Sequence, residues 1–262
     1  MKRPAPLPFD GRAAFVSLFE KEILRFRKIA LHSIFAPILT SSLYLLVFGS
    51  VLEGRMTVLE GGNYVDFLIP GLVMMALLQN SFANAASSLL QAKITGSIVF
   101  VLLSPLSGLQ LACAYIAASM VRGLMVAAGV WAASLVWSVP PVAHPLWVLL
   151  FALLGAAIMA SLGVVCGLWA EKYDQMGTFQ TFVILPLTFL SGVFYSVAQL
   201  PPVWGKISLL NPFFYLIDGF RFGFFGQSDF PAWMSLTIVL TAALASAALA
   251  CTLFVRGWKL KT

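Results

Sequence analysis

Long stretches without an ionised side chain set the rhythm of this chain. They cover residues 29–52, 67–92, 94–121, 123–170, 175–205 and 230–255. About 20 apolar residues suffice to cross the hydrocarbon core of a bilayer, so five of these runs fit one crossing each. The 48-residue run 123–170 holds the end of one span, the Pro140-Pro141 turn and another span. The pattern predicts an all-α polytopic membrane protein with six spans: 30–52, 67–90, 109–139, a fourth ending near Trp169, a fifth from Gln175 kinked at Pro186, and 232–254. It forms one domain over 1–262, with a cytoplasmic tail and interface helix over 1–29 and a second tail over 255–262.

Ahead of the first span the period changes. Residues 1–9 contain Pro4, Pro6 and Pro8 and read as flexible, and Asp10 can cap the helix that follows. In that helix Phe15, Leu18, Phe19, Ile23 and Phe26 recur at threes and fours, flanked by Lys21, Arg25 and Lys28. This is the pattern of a helix lying flat on the anionic inner leaflet, or of a plain cytosolic extension of the first span.

The stretch Leu187–Gly226 fits neither a soluble loop nor a straight span. It is apolar throughout, with Lys206 and Arg221 as its cations, and it is broken at Gly192, Pro201-Pro202 and Asn211-Pro212. Irregular backbone survives at membrane depth only where protein or a watery cavity covers its free amides and carbonyls. The stretch is therefore expected to be a re-entrant hairpin dipping into the outer leaflet before the last span, a lid over something that moves cargo.

Polar positions inside the spans are few. Asn80, Asn84, Ser87 and Gln91 recur at four, three and four residues and predict one stripe, either a contact between helices or a wall facing cargo. Arg122 stands in the middle of the third span with no acidic residue at matching depth, so it bonds backbone carbonyls, snorkels, or meets an anionic group. Gly163 and Gly167, with Ala152, Ala156 and Ala160, predict close packing of the fourth span. His32 is expected at the inner interface. Cys113, Cys166 and Cys251 fall in separate runs without ligand spacing and read as small buried residues.

Composition and charge narrow the function. The chain is 60% hydrophobic and 10% charged, against about 25% charged in soluble domains. A net charge of +6 would suggest nucleic acid in a soluble protein, but its distribution follows the positive-inside rule. With both termini in the cytoplasm, twelve Lys or Arg lie inside and three, Arg55, Lys206 and Arg221, lie outside. No GxxxxGK[ST] loop, HExxH, GxSxG or CxxC pattern occurs, so the chain is expected neither to hydrolyse ATP nor to act as an enzyme. Intramembrane acids of the kind proton-coupled carriers use are missing from the predicted spans.

The order of elements resembles the membrane subunit of type-2 ABC transporters. The residues that carry the resemblance are Phe67-Leu68-Ile69-Pro70-Gly71, Leu103-Ser104-Pro105-Leu106, the block from Phe189-Leu190-Ser191-Gly192-Val193-Phe194-Tyr195 to Asn211-Pro212, and Gly219-Phe220-Arg221. The resemblance implies a permease of the bacterial inner membrane, in two copies surrounded by lipid, each docked to a separate ATPase subunit that holds ATP and magnesium. It implies no cofactor on this chain and no nucleic-acid partner. By position, Ile94, Gly96, Ile98, Phe100 and Leu103 fall in the coupling helix and Arg25 in the interface helix. The coupling segment of such proteins usually carries acids, whereas Ile98-Val99-Phe100-Val101 is apolar. The cargo path is expected along Asn80, Asn84, Ser87, Gln91 and Arg122 and, facing them, Thr178, Gln180 and Thr181. It leaves beneath a lid containing Gly192, Phe194, Tyr195, Pro201, Trp204, Asn211, Pro212, Tyr215 and Arg221. An ATP-independent channel or carrier, and a scaffold that recruits a cytosolic partner, are the competing classes.

Overall fold

A computed structural model describes residues 11–28, 30–52 and 63–259, with the side chains of 27, 28, 30–32, 52 and 198 excepted. The expected outer-loop charges Glu53, Arg55 and Glu60, the Asp10 cap, the tail 1–9 and the His32 side chain lie outside the described residues. Those residues are helical, with no strand among them. In chain order the helices are α1 (Gly11–Lys28), α2 (Ala30–Leu52), α3 (Tyr64–Ile94), α4 (Ile98–Leu103), α5 (Gly108–Ser134) and α6 (Pro145–Trp169). There follow α7 (Tyr173–Phe179), a π turn (Gln180–Ile184), α8 (Leu185–Phe189), a 3-10 turn (Val197–Gln199), α9 (Pro202–Leu209), α10 (Pro212–Phe225) and α11 (Ala232–Val255).

Among the described residues, five helices are long and apolar enough to cross a membrane: α2 over Ser33–Val51, α3, α5, α6 and α11. The third expected span is shorter than its apolar run, because α5 stops at Ser134 and the chain through Pro140-Pro141 is not helical. Where the fifth span was expected, α7, the π turn and α8 follow one another without a gap as pieces of 7, 5 and 5 residues. Together they are about 25 Å long at 1.5 Å per residue. Pro186 explains the π turn. Its ring would meet the carbonyl four residues back and it has no amide hydrogen to give. The chain widens by one residue just before it, so that the Leu185 amide bonds the Gln180 carbonyl instead.

α3 is the axis of the bundle and is buried for most of its length. α6 packs along it at backbone contact. A Cβ at Gly163 would stand 2.5 Å from the Phe82 carbonyl oxygen, and one at Gly167 2.9 Å from that of Ala86. In lipid such close approach is what dispersion and packing require, so the expected small-residue face of the fourth span is turned on α3. Local rules set the ends. Ser107 and Gln110 form a reciprocal capping box at the start of α5, and Pro145 opens α6 at its first turn. The last carbonyls of α6 are closed by lysines from its neighbours. Lys93 Nζ donates to Leu168 and Ala170, each at 2.7 Å, and Lys259 to Trp169 at 3.4 Å. Lys259 also donates to Glu171 at 3.0 Å, which holds that exposed carboxyl below its ordinary range.

α2 and α11 keep much of their surface uncovered, as Phe35, Leu39 and Leu43 on the first and Trp233, Leu240 and Leu244 on the second are exposed. The cysteines depart from expectation. Cys166 is buried, but Cys113 is exposed on α5, and it lies beside Cys251 of α11. Two residues far apart in sequence meet because the last helix returns to the side of the third span.

Candidate functional site

Two polar assemblies sit within this apolar bundle, one beneath α1 and one around the broken segment 190–226. The buried face of α1 runs through Phe15, Leu18, Glu22 and Phe26, so that a carboxylate stands in the middle of an apolar stripe, only 2% exposed. Glu22 was not singled out in the sequence, where Lys21, Arg25 and Lys28 were expected to flank the apolar face. The spacing of three and four along that stripe was the signal for it. The Glu22 carboxylate accepts from Ser88 of α3 and from Arg25 Nε at 3.1 Å, with Lys21 Nζ 3.7 Å away.

Asn84 is the hub of this assembly. Its side-chain oxygen accepts from Arg25 Nη2 at 2.9 Å and from Arg122 Nη1 at 3.1 Å, while its nitrogen donates to Ser119 Oγ at 3.0 Å. An amide carries its acceptor oxygen and its donor nitrogen on separate atoms, so Asn84 can serve two guanidinium groups and a hydroxyl at once. Arg122 also lies over the Phe26 ring, 5.5 Å from its centre. It is thus held by a polar side chain of α3 and a ring of α1, with the like charge of Arg25 on the same amide oxygen.

The expected four-residue stripe on α3 divides accordingly. Asn84 is buried and turned toward α1 and α5. Asn80 and Ser87 are half-buried, bonding the Ala76 and Asn84 carbonyls at 3.0 and 3.3 Å, and Gln91 is exposed. The uncovered strip of α3 passes through Gln79, Ala83, Ser87 and Gln91, four residues apart, with Asn80 beside it. Gln79 belongs to this strip and went unnoticed in the sequence, although its neighbour Asn80 marked the place. A cavity of about 240 Å³ opens between α2 and α3, lined by Pro37, Thr40, Ser41, Tyr44, Gln79 and Asn80 among others. On the other flank, Phe179 of α7 stacks on Phe82 with centres 5.7 Å apart. Thr178 and Thr181 are exposed there, Thr178 bonding the Asp174 carbonyl, and Gln180 is half-buried.

Around residues 190–226 the residues expected as a lid divide by role. Breaks in the helices free carbonyls, and side chains from this segment and from α3 donate hydrogen bonds to several of them. Asn211 Nδ2 donates to Leu187 at 2.6 Å, Tyr195 to Phe189 at 3.1 Å, Tyr215 to Leu209 at 2.7 Å, and Tyr64 of α3 to Phe194 at 2.7 Å. Arg221 Nη2 donates to Gly192 at 3.0 Å and to Val193 at 3.4 Å. Asn211 caps α10 as well, its oxygen accepting from the Phe213 amide at 3.0 Å, with Pro212 at the first helical position.

α10 is a core helix, because Phe213 through Arg221 are all buried. Arg221, expected on the outer side of the membrane and in the lid, lies 3.6 Å from the centre of the Phe67 ring. Gly71 leaves room for it: a Cβ there would stand 2.8 Å from the Val193 carbonyl oxygen. Asp218 receives the Asp229 amide at 2.8 Å, and Asp229 in turn accepts from Ser196 Oγ at 2.8 Å and the Val197 amide at 2.9 Å. Gly226 ends α10 with φ +69°, a left-handed cap that favours glycine. The most exposed part of the segment is α9 with its caps, where Trp204 is exposed, as are Pro201 and Leu210 at its two ends and Pro212 beyond them. Phe194 reaches inward to Tyr44 and Phe48 of α2, at 5.4 and 5.1 Å between ring centres.

At the opposite end of the bundle, α4 follows a turn at Gly96 with φ +70°. Ile98 and Val101 are buried, whereas Ile94, Val99, Phe100 and Leu103 are exposed, Phe100 by 77% and Leu103 by 76%. Of the residues expected in coupling, Arg25 lies apart from these, in the assembly beneath α1.

Residues 13–225 match the family of ABC-2 type transporters. The chain is 36% identical over 250 residues to the inner membrane transport permease YadH of Escherichia coli K12, covering 95% of this chain and 97% of that one. It is 28% identical over 239 residues to nodulation protein J of Rhizobium leguminosarum bv. viciae, covering 85% and 86%. To nodulation protein J of Sinorhizobium fredii it is 31% identical over 218 residues, covering 79% of each.

Proposed function

Since the chain belongs to the ABC-2 type transporter family and is a transport permease subunit of that kind, we propose that it is the membrane half of an ATP-driven exporter. Its cargo is an amphiphilic, lipid-linked or drug-like molecule carried outward across the inner membrane. Power comes from a separate ATPase subunit, and two copies of the chain pair to complete the machine, with both termini in the cytoplasm.

The observation that supports this best is α4. A short helix on the end opposite the 190–226 segment presents Phe100 and Leu103 to the outside of the fold. Exposed apolar patches of this kind mark contact sites, and a soluble ATPase can push on a helix held by only two buried residues. α2 supplies apolar surface for a second copy. Cargo follows the uncovered strip of α3 and the cavity beside α2, with Thr178, Gln180 and Thr181 on the far flank, and leaves beneath α9. Closure of the ATPases on ATP shifts the permease between its two arrangements only through differential affinity for them.

Co-expression with an ATPase subunit tests this. Wild type should co-purify with it and show ATP hydrolysis stimulated by cargo, and Phe100→Asp with Leu103→Asp should abolish both while leaving the permease folded. Transport by the chain alone in liposomes without nucleotide would overturn the reading. For the path, Asn80→Leu and Gln180→Leu should impair export without loss of assembly. Asn84→Leu does not make that test, because it removes the hub beneath α1.

A further inference from the structure

Three alanines leave a gap between the helices. Ala127 and Ala128 of α5 and Ala152 of α6 line a cavity of about 330 Å³, to which α3 and α10 also contribute. Protein interiors pack as densely as organic crystals, with few voids larger than a water molecule, so ordinary packing does not leave a space of this size. It is more than twice the volume, about 150 Å³, of an apolar cavity that stays dry and takes up benzene.

The lining offers nothing to a polar ligand. Every side chain in it is hydrocarbon except the indole of Trp131. Its floor is Val73 and Leu77 of α3 with Phe220 and Phe224 of α10, each 4% exposed or less. At its mouth Ala128, Trp131 and Leu149 are exposed. The mouth therefore belongs to α5 and α6, two helices that can span the membrane.

Depth sets what lies against that mouth. α3 has 31 residues, about 46 Å at 1.5 Å per residue, against a hydrocarbon core of about 30 Å. Val73 and Leu77 stand about 14 and 20 Å along it from Tyr64, at the level of acyl chains rather than headgroups. Other occupants fit less well. The cavity between α2 and α3 lies on the proposed cargo path, and no residue lines both cavities. The surface proposed for a second copy is on α2, which lines no part of this one.

We propose that the cavity between α5 and α6 is a binding site for one acyl chain of a bilayer phospholipid, a resident of the fold rather than its cargo. The chain supplies the hydrocarbon that the three alanines lack, and it packs α5 and α6 against Phe220 and Phe224 of α10. The inference goes beyond the exporter reading, and it needs neither ATPase nor transport.

The test uses the full-length chain in vesicles of phosphatidylcholine, part of which carries a photoactivatable diazirine at the end of one acyl chain. After irradiation, labelled residues are mapped by mass spectrometry. Leu39 of α2 and Leu244 of α11, both exposed, report general contact with lipid. Wild type should also be labelled at Leu77, Phe220 and Phe224, which only a chain inside the cavity can reach. Ala152→Phe fills the cavity and should remove the label from those three while Leu39 and Leu244 keep theirs. Ala128→Trp, at the exposed mouth, should do the same without crowding the core, and it guards against an Ala152→Phe variant that fails to fold. No label on the floor of the wild-type cavity, or label that persists in both variants, overturns the site. A crosslink between copies through Leu149→Cys, in a chain that also carries Cys113→Ser, gives the cavity to a second copy and overturns the lipid. The vesicles hold no ATPase and no cargo, so these outcomes stand apart from any failure of the exporter reading.

Discussion

Asn84, expected on a helix contact or a cargo-facing wall, and Asn211, expected in the lid, each join separate parts of the fold. Each is a side chain with a donor and an acceptor placed where apolar surroundings leave polar groups without water. Asn211 joins two helix ends, capping α10 through Phe213 and closing the Leu187 carbonyl of α8. Asn211→Ala removes a cap, about 0.5–2 kcal/mol, and strands a carbonyl, about 1–3 kcal/mol. Its expected loss of about 2–4 kcal/mol should be read in a reversible unfolding titration of the purified protein. A loss no greater than that of an exposed control such as Lys206→Ala would refute the role. The break at Asn211-Pro212 was legible in the sequence. Its bonding partner was not, because Leu187 lies on a different helix.

Among the elements, α6 and the pieces α7 to α8 mark the two extremes of packing. Gly163 and Gly167 let α6 touch the backbone of α3, and this face was legible as a four-residue spacing of small residues. Gly163→Val places methyl groups where the Phe82 carbonyl already stands within 2.5 Å of a Cβ. The helices must part, at a cost of about 1–3 kcal/mol, and the thermal midpoint should fall. A midpoint unchanged from wild type would show that α6 does not lie so close. α7 to α8 buries only Ile184 and Thr188, and its π turn precedes Pro186. The proline was visible in the sequence, but whether the chain answers with a kink or a widened turn depends on which carbonyl it must avoid.

For the whole molecule, the meeting of Cys113 and Cys251 provides a check that no local feature can mimic. α11 returns beside α5 and brings together two thiols 138 positions apart in the chain. Mild oxidation of the purified protein should form an internal crosslink that shifts its mobility on a denaturing gel. The shift should vanish in Cys113→Ser and persist in Cys166→Ser. No crosslink in the wild type, or one that needs Cys166, would refute this arrangement of the helices.

Hydropathy by itself determined the helical membrane class, the positions of most spans, the amphipathic start and the broken segment before the last helix. Those properties depend on spacing along one chain and on the exclusion of charge from lipid. Only the tertiary structure decided that α10 is core, that Arg221 is an interior strut on Phe67, and that Glu22 is buried beside Arg25. It also decided that Asn84 turns away from the uncovered strip of α3. In a chain this apolar, every helix face looks ready for burial, so the neighbour a polar side chain finds depends on which helices pack together.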